Sequence, residues 1–306
     1  MTVFLQAFVR DLQTQDRSPH TVSAYESDVR GFFNWLTEQI GEEVPPVEIT
    51  TFDVQRYRDH LNELGRKPST VNRKLAALRV FFDWTTQQEH ASTNPAEDVN
   101  GVDQERRPPK ALTEQQVYRL QREAAARCQL AEAQFDDPTA PTVVTAYRDA
   151  ALLNLLLYAG LRVSEATALK LTDVDLGERK GKVIVRSGKG RKYREVPLHK
   201  VARQALTAYL DKCPSLADED YVFQGQRGPL GARGMQLRIA ALAESVDIKN
   251  VTPHVLRHTF ATRLLREAET DLVTVSALLG HASVATTEIY TQPNEQDLAE
   301  AVNGLT

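Results

Sequence analysis

Hydrophobic positions in the first hundred residues recur every three or four places, the spacing of an amphipathic helix. One such run follows Ser18-Pro19, a second spans residues 52–64, and a third begins at Ser69, which we expect to cap it. No stretch of residues 1–103 alternates strictly between apolar and polar positions, as a half-buried strand would. This part of the chain is therefore predicted to be an α-helical bundle.

A charged segment, NGVDQERRPPKA at residues 100–111, separates this bundle from the rest of the chain. Its adjacent prolines fix φ and remove backbone donors, which predicts an extended linker. Thr113 and Gln116 then have the spacing of a capping box, so a helix restarts there. The predicted organisation is a first domain, a linker and a second domain, at residues 1–103, 104–112 and 113–306.

The second domain shows helical spacing except at residues 182–197. There KVIVRS and KYREVPL flank the Gly-rich stretch GKGR, a pattern typical of a β-hairpin. The predicted fold class is therefore mainly α, with a small β-hairpin or sheet in the second domain.

Length and composition indicate a two-domain globular protein and give no sign of a membrane span. A length of 306 residues suits two domains, and 42% apolar with 25% charged residues is ordinary for a soluble globular protein. No apolar run approaches the roughly 20 residues of a membrane span, and the N-terminus lacks the cleavage site of a signal peptide. Cys128 and Cys213 are expected to be reduced thiols of a cytosolic protein.

The charge distribution points to nucleic acid although the net charge is −4. Residues 179–203 carry ten lysines and arginines against a single acid, Glu195. Such a patch is the electrostatic footprint of a nucleic-acid-binding surface. The alternative is a solvated basic hairpin.

Short motifs in the second domain carry candidate chemistry. In AGLRVSEATAL, residues 159–169, Gly160 ends one helix and Ser164 starts the next, so Arg162 lies on the turn and Glu165 follows it. SGKGRK, residues 187–192, puts Lys189 at the tip of the predicted hairpin. A local ion pair between Arg162 and Glu165, which would contribute little, is the alternative interpretation.

Histidines accompany the remaining motifs. In TPHVLRHTFATRL, residues 252–264, His254 and Arg257 share one face of a helix that begins at Thr252-Pro253. His258 is interpreted as a packed or hydrogen-bonded core residue, because no third ligand stands at a spacing that suggests a metal site. LLGHASVATTEIYT, residues 278–291, carries His281 and Tyr290. The alternative to a functional role for Tyr290 is an ordinary buried tyrosine of the core.

The motifs GLRVSEA, GKGRKYREVPL, TPHVLRHTFATRLL and LLGHASVATTEIYT, in this order, resemble those of the tyrosine site-specific recombinases, the lambda-integrase family, of the compact Xer-like type. STVNRKLAALRVFFDW, residues 69–84, resembles the N-terminal core-binding domain of the same family. The resemblance implies a two-domain clamp around duplex DNA that needs no metal and no cofactor. It assigns the catalytic positions to Arg162, Lys189, His254, Arg257, His281 and Tyr290. Glu165 matches an acidic position that helps to assemble the site.

These residue types suit phosphoryl transfer, which demands positioning and neutralisation of charge on the phosphate. Arg162 and Arg257 can each fork onto the scissile phosphate. His254 and His281 can donate hydrogen bonds to it, and His254 is a candidate for taking the tyrosine proton. Tyr290 attacks as a phenolate, and with an ordinary pKa of about 10 it needs cationic surroundings.

The expected reaction is cleavage and rejoining of duplex DNA. Lys189 is expected to protonate the leaving 5′ oxygen, and the 3′-phosphotyrosyl product allows religation without ATP. Strand exchange between two short sites would then serve integration, excision or resolution. The alternatives are relaxation like that of a type IB topoisomerase and a non-catalytic, DNA-binding architectural protein.

Further expectations concern DNA contacts and partners. The candidates for contacts to phosphates or grooves are Arg73, Lys74, Arg79, Arg191 and Lys192. For Arg73, Lys74 and Arg79 the alternative is a solvated helix face. The resemblance implies a homotetramer on two synapsed sites, with or without a second recombinase or accessory protein, in the cytoplasm on the nucleoid. Residues 296–306 are expected to dock on a neighbouring protomer, packing on their own domain being the alternative. Chromosome segregation and a mobile element both remain open as the setting.

Overall fold

The computed structural model describes most of the chain, and the statements below concern the described residues. These are residues 2–15, 17–103, 111–186, 193–213, 215–217, 219–281, 283, 286–287 and 290. The chain divides into two compact units, Met1–Arg106 and Arg107–Thr306. Within the described residues, no helix is both long enough and apolar enough to cross a membrane.

The first unit is helical. Its helices are α1 (Thr2–Thr14), α2 (Pro19–Ile40), α3 (Thr51–Glu63) and α4 (Pro68–Gln87), with a short 3-10 helix at Pro46–Glu48. Helix α2 begins as predicted, because the Ser18 side chain accepts a hydrogen bond from the Thr21 backbone. The prediction that Ser69 caps the third predicted helix is wrong. The N-cap is Lys67, two residues before Ser69, and α4 begins at Pro68, since the fixed φ and missing N–H of proline suit a first helical turn.

Phenylalanines at helical spacing form the core of the first unit. Phe8, Phe32, Phe81 and Phe82 are fully buried. Their rings meet edge to face, with centroids 5.2 Å apart for Phe8 and Phe81 and 6.2 Å apart for Phe32 and Phe82. This geometry is the one that aromatic quadrupoles prefer, and it joins α1, α2 and α4.

The second unit combines helices with small antiparallel sheets. Its helices are α5 (Glu114–Gln134), α6 (Pro141–Ala159), α7 (Val163–Ala168), α8 (Lys200–Leu210), α9 (Ala232–Glu244), α10 (Pro253–Arg266) and α11 (Leu272–Leu279). Its strands are β1 (Val174–Asp175), β2 (Lys182–Arg186), β3 (Tyr193–Pro197), β4 (Gln224–Gly225) and β5 (Gly228–Pro229). The order β1-β2-β3 makes one sheet, and β4 pairs with β5. The predicted fold class, mainly α with a small sheet, is confirmed.

Helix α6 is the centre of the second unit. Five leucines on all of its sides are buried, as expected of a helix surrounded by other elements: Leu152, Leu153, Leu155, Leu156 and Leu157. Gly160 ends α6 with φ at 60°, and a Cβ there would lie 2.3 Å from Cδ1 of Phe260 on α10. The end of α6 and the side of α10 are therefore in close contact, which brings the first and third motifs together.

Candidate active site

Arg162 and Glu165 begin helix α7. Arg162 is its N-cap, so α7 starts at Val163 rather than at Ser164 as predicted. The Arg162 backbone donates to Oε2 of Glu165 at 2.8 Å, and its guanidinium Nη1 donates to Oε1 at 2.9 Å. The Arg162 side chain is 38% exposed, so part of its guanidinium faces solvent.

Glu165 also joins segments that are distant in sequence. Arg194 donates from Nη1 and Nη2 to its two carboxylate oxygens, at 2.9 and 2.8 Å. Nη1 of Arg257 lies 3.9 Å from Oε2 of Glu165. Burial raises the pKa of Glu165, but hydrogen bonds from Arg194 and Arg162 outweigh it and hold that pKa below its ordinary value. The carboxylate is therefore charged, and it neutralises only part of the arginine cluster around it.

Arg194 on β3 is a residue of the site that the motifs did not single out. Its Nε donates to the Leu278 carbonyl at 2.9 Å. A Cβ on Gly280 would lie 2.7 Å from Nη1 of Arg194, so only glycine allows this approach. The strand pattern held a signal for its role, because Arg194 shares the inward face of β3 with buried Val196, opposite exposed Tyr193.

Arg257 is buried at the meeting point of three helices. It is 3% exposed, and it donates to the Gly160 carbonyl at 2.5 Å and to the Leu279 carbonyl at 2.8 Å. These carbonyls lie at the C-terminal ends of α6 and α11, where helices favour a cation. Burial, followed by repulsion from Arg162, lowers the pKa of Arg257 to about 10, so its guanidinium stays charged at neutral pH.

Tyr290 is buried beside this cluster, at 4% exposure. The His281 ring stacks on the tyrosine ring with centroids 6.3 Å apart and planes at 13°. Nδ1 of His281 shares a hydrogen bond of 2.8 Å with the hydroxyl of Thr287. Burial lowers the pKa of His281 to about 4, assisted by Arg257 and Arg162, so the imidazole is neutral.

The hydroxyl of Tyr290 meets His258. Its Oη lies 3.0 Å from Nδ1 of His258, within hydrogen-bonding distance. His258 is thus a hydrogen-bonded, half-buried residue, and its partner is the candidate nucleophile. Burial raises the pKa of Tyr290, whereas Arg257 and Arg162 lower it without cancelling the rise. The expected cationic surroundings are present, but the phenol is protonated at neutral pH.

Of the remaining predicted residues of the second unit, the structure describes only His254. His254 on α10 is exposed, and its ring stacks against His258 with centroids 6.0 Å apart. Lys189, Arg191 and Lys192 lie outside the described residues. The structure therefore brings together part of the predicted catalytic set, namely Arg162, Glu165, Arg257, His281 and Tyr290.

Basic residues of α4 in the first unit have partners within that unit. Arg73 and Lys74 both form ion pairs with the buried carboxylate of Asp28, and their side chains are 49% and 17% exposed. The Arg79 guanidinium donates to the carbonyls of Ala96 and Val99, at 3.1 and 2.5 Å. Arg79 therefore stabilises the segment after α4, and Arg73 has the most solvent-accessible side chain of the three.

No cluster of three or more histidine, cysteine, aspartate or glutamate side chains suited to a metal ion occurs in the part of the chain that the structure describes. The donors that surround Tyr290 are instead guanidinium groups and imidazoles, which bind anions.

Comparisons with known proteins cover both units. Residues 110–297 match the phage integrase family, and residues 5–89 match the phage integrase N-terminal SAM-like domain. Tyrosine recombinase XerC of Pseudomonas fluorescens is 34% identical over 302 residues, covering 96% of this chain and 93% of that protein. The XerA recombinase structure shares 30% identity with a TM-score of 0.53, covering 99% of this chain and 97% of that one.

The fold is also that of a recombinase bound to its DNA. XerH site-specific recombinase in a post-cleavage complex with a palindromic difH substrate has a TM-score of 0.71 at 21% identity, covering 92% of this chain and 79% of that one. The match of residues 110–297 and the XerC relative show that the chain is a tyrosine recombinase, an enzyme that cleaves and rejoins DNA through a tyrosine nucleophile. The chain belongs to the phage integrase family, which confirms the resemblance that its motifs showed.

Proposed function

We propose that this enzyme exchanges strands between two short duplex sites through a 3′-phosphotyrosyl intermediate, with Tyr290 as the nucleophile. The observation that carries the proposal is the buried Tyr290 hydroxyl beside a cluster of arginines that one carboxylate only partly neutralises. Such a site has a surplus of positive charge and attracts a phosphodiester anion.

In this mechanism Arg162 and Arg257 bind the non-bridging oxygens of the scissile phosphate. Arg162 is partly exposed and can turn its guanidinium towards an incoming phosphate. Arg257 gives only part of its donors to helix carbonyls, since a guanidinium has more N–H groups than the contacts use. Glu165 holds the cluster in position, because its carboxylate contacts arginines from separate segments of the domain.

The chemical step transfers the phosphoryl group from DNA to Tyr290. The phenolate oxygen forms a bond to phosphorus, the bond from phosphorus to the 5′ oxygen breaks, and Lys189 protonates that leaving oxygen. His254 and His281 donate hydrogen bonds to the phosphate. Attack by a 5′ hydroxyl from the partner strand reverses these steps, so the energy of the linkage is conserved and ATP is not consumed.

The DNA partner and the domain roles belong to the same proposal. Residues 1–103 form the core-binding domain, residues 104–112 the linker and residues 113–306 the catalytic domain, and the two domains close around the duplex. Of the three predicted cations on α4, Arg73 is half-exposed and remains the most accessible to a phosphate. Arg191 and Lys192 contact backbone phosphates beside the catalytic hairpin. This work takes place in the cytoplasm, on the nucleoid.

A homotetramer on two synapsed sites is the assembly that we propose, with residues 296–306 of each copy docked on a neighbour. A groove of about 480 Å³ in the second unit offers an apolar surface for that segment, lined by residues that include Leu157, Phe260, Leu264 and Leu278. Leu298, Ala301 and Val302 supply matching apolar side chains. Deleting residues 296–306 should abolish synapsis and leave binding to a single site intact. Unchanged synapsis and recombination would contradict the docking, and synapsis that needs an added second recombinase would contradict the homotetramer.

A covalent-adduct assay tests the reaction. Purified protein is incubated with sheared genomic DNA of the source organism, denatured in SDS, and the protein-linked DNA is sequenced. We expect adducts at discrete sites with the wild type and none with Tyr290→Phe. The absence of any adduct would support the architectural protein. In a parallel incubation with supercoiled plasmid, relaxation without site preference would support the topoisomerase.

A further inference from the structure

We propose that His258 is a catalytic residue, the group that accepts the Tyr290 proton during cleavage and returns it during religation. The inference deepens the proposed function and rests on it, because it requires Tyr290 as the nucleophile. It also changes the assignment of this proton transfer, which the sequence motifs gave to His254.

Geometry selects His258 among the histidines of the site. Its Nδ1 lies 3.0 Å from the Tyr290 hydroxyl oxygen, the distance expected between a proton donor and its base. His281 faces the tyrosine ring with parallel planes at 13°, and its own Nδ1 is bonded to Thr287. His254 is exposed and its ring stacks on His258, with centroids 6.0 Å apart, whereas it has no described hydrogen bond to Tyr290.

The backbone fixes His258 in this position. It follows Arg257 directly on α10, whose start is set by the Thr252 cap and by Pro253. The next residue, Thr259, is fully buried and accepts a hydrogen bond of 2.9 Å from the Leu112 backbone. Because both flanking residues are anchored, the His258 ring has little freedom to leave the tyrosine hydroxyl.

His258 is in the correct state to act as a base. Burial, assisted by repulsion from His254 and Arg257, lowers the pKa of His258 to about 4. The ring is therefore neutral in the free enzyme, and the tautomer with its proton on Nε2 leaves Nδ1 as an acceptor. The charged and titratable groups that face it are His254 and Arg257 from α10 and Tyr290 from the C-terminal segment.

The proton balance couples activation to DNA binding. During cleavage the O–H bond of Tyr290 breaks and an N–H bond forms on His258, while the phenolate attacks phosphorus and the 5′ oxygen leaves with a proton from Lys189. The new imidazolium lies next to Arg257, an unfavourable arrangement in the free enzyme. A bound phosphodiester anion supplies the compensating negative charge, so the tyrosine is deprotonated only when DNA occupies the site.

Paired substitutions separate proton acceptance from positioning. In His258→Asn the side-chain oxygen still accepts a hydrogen bond near the Nδ1 position but cannot titrate, whereas His258→Phe retains a ring and loses the acceptor. The exposed His20 on α2 gives a matched control, His20→Asn. Single-turnover adduct formation is measured from about pH 5 to about pH 10 on a nicked duplex of a site mapped by sequencing, with binding followed by gel shift.

We expect both His258 variants to bind DNA as the wild type does and to cleave about 10²- to 10⁴-fold more slowly, the contribution typical of a general base. The wild-type rate should level off with rising pH, whereas the His258→Asn rate should keep rising about tenfold per pH unit towards the tyrosine pKa. His20→Asn should match the wild type throughout.

Other results would overturn the inference. A His258→Asn rate within about twofold of the wild type, with the same pH profile, would show that no base is needed there. The same result with only His258→Phe impaired would reduce His258 to a positioning residue. If His258→Asn does not fold by thermal melting, His258→Gln is measured in its place under the same criteria. Failure of the proposed function is distinguishable, since the wild type itself would then form no adduct.

Discussion

Replacing Arg194 by alanine tests whether the arginine cluster is built around Glu165. The substitution removes the hydrogen bonds of 2.9 and 2.8 Å to the carboxylate and the 2.9 Å hydrogen bond to the Leu278 carbonyl. Arg194 and Glu165 are 19% and 13% exposed, so solvent screens the pair weakly. Arg162 still pairs with Glu165 in the variant, so the negative charge of Glu165 keeps one cationic partner.

The expected loss of stability is about 3 kcal/mol. Hydrogen bonds to charged groups contribute about 1.5–3 kcal/mol each, and removing one partner of a buried ion pair costs about 3–5 kcal/mol. We take the lower end because Arg162 remains. For a domain of this size that loss lowers the Tm by about 6–12 °C, which differential scanning calorimetry of the full chain measures. Cleavage should slow by about 100-fold, since the segment with His281 and Tyr290 loses its contact with β3.

The acid limb of the stability curve gives an independent check. The pKa of Glu165 is held below 4.5 in the folded state, so the carboxylate contributes stability above that pH which is lost as pH falls through the folded value. Without Arg194 the pKa rises towards its ordinary range. The variant should therefore lose less stability than the wild type on acidification from about pH 5 to about pH 3.

A matched control lies in the same sheet. Lys182 on β2 pairs with Glu195 on β3 at 2.9 Å, but both side chains are more than 40% exposed, at 41% and 46%. Lys182→Ala should leave the Tm nearly unchanged. An Arg194→Ala protein that melts and cleaves like Lys182→Ala would refute the reasoning, because it would mean that Glu165 positions nothing through Arg194.

Further predictions concern the end of α6, the first unit and the leaving group. Gly160→Ala should lower the Tm far more than Gly41→Ala, because both have positive φ but only the former would place a Cβ 2.3 Å from Phe260. Arg79→Ala should destabilise the first unit by about 2 kcal/mol in urea titrations followed by tryptophan fluorescence, since two carbonyl contacts are lost. Lys189→Ala should slow cleavage while gel shifts stay unchanged, and a 5′-thiol leaving group should restore the rate. Equal loss of binding and cleavage would mean that Lys189 is only a phosphate contact.

Periodicity predicted the helices of the first unit well because each of α2, α3 and α4 buries one continuous apolar face. The long runs on α2, α3 and α4 fall where apolar spacing put them. Strand β1 was missed, since a strand of two residues has no period to detect and exists only by pairing with β2. The predicted helix starts were wrong by two residues at Pro68, where proline geometry decided the boundary, and by one at Val163, where the Glu165 carboxylate decided it.

The site shows a different limit of sequence reasoning. The motifs named residues by type, and the structure brings several of them together, but two contacts depend on partners far along the chain. Arg194 reaches Glu165 across 29 positions, and His258 reaches Tyr290 across 32. Neither spacing is visible as a local pattern, because each contact forms only when β3 or the C-terminal segment packs against the helices. The alternation of β3 was the one local signal for Arg194.

Contacts with helix C-termini and with Glu165 explain how the arginine cluster is stable in the free protein, without a bound phosphate. Gly160 and Gly280, both with positive φ, end α6 and α11 so that carbonyls at these helix termini face the guanidinium groups. Arg257 takes the Gly160 and Leu279 carbonyls, and Arg162 meets the Gly280 carbonyl at 3.3 Å. Partial negative charge at helix C-termini, together with Glu165, thus stabilises cations that would otherwise repel one another. In the mechanism proposed above, the scissile phosphate supplies the negative charge that balances the positive charge left at this site in the free protein.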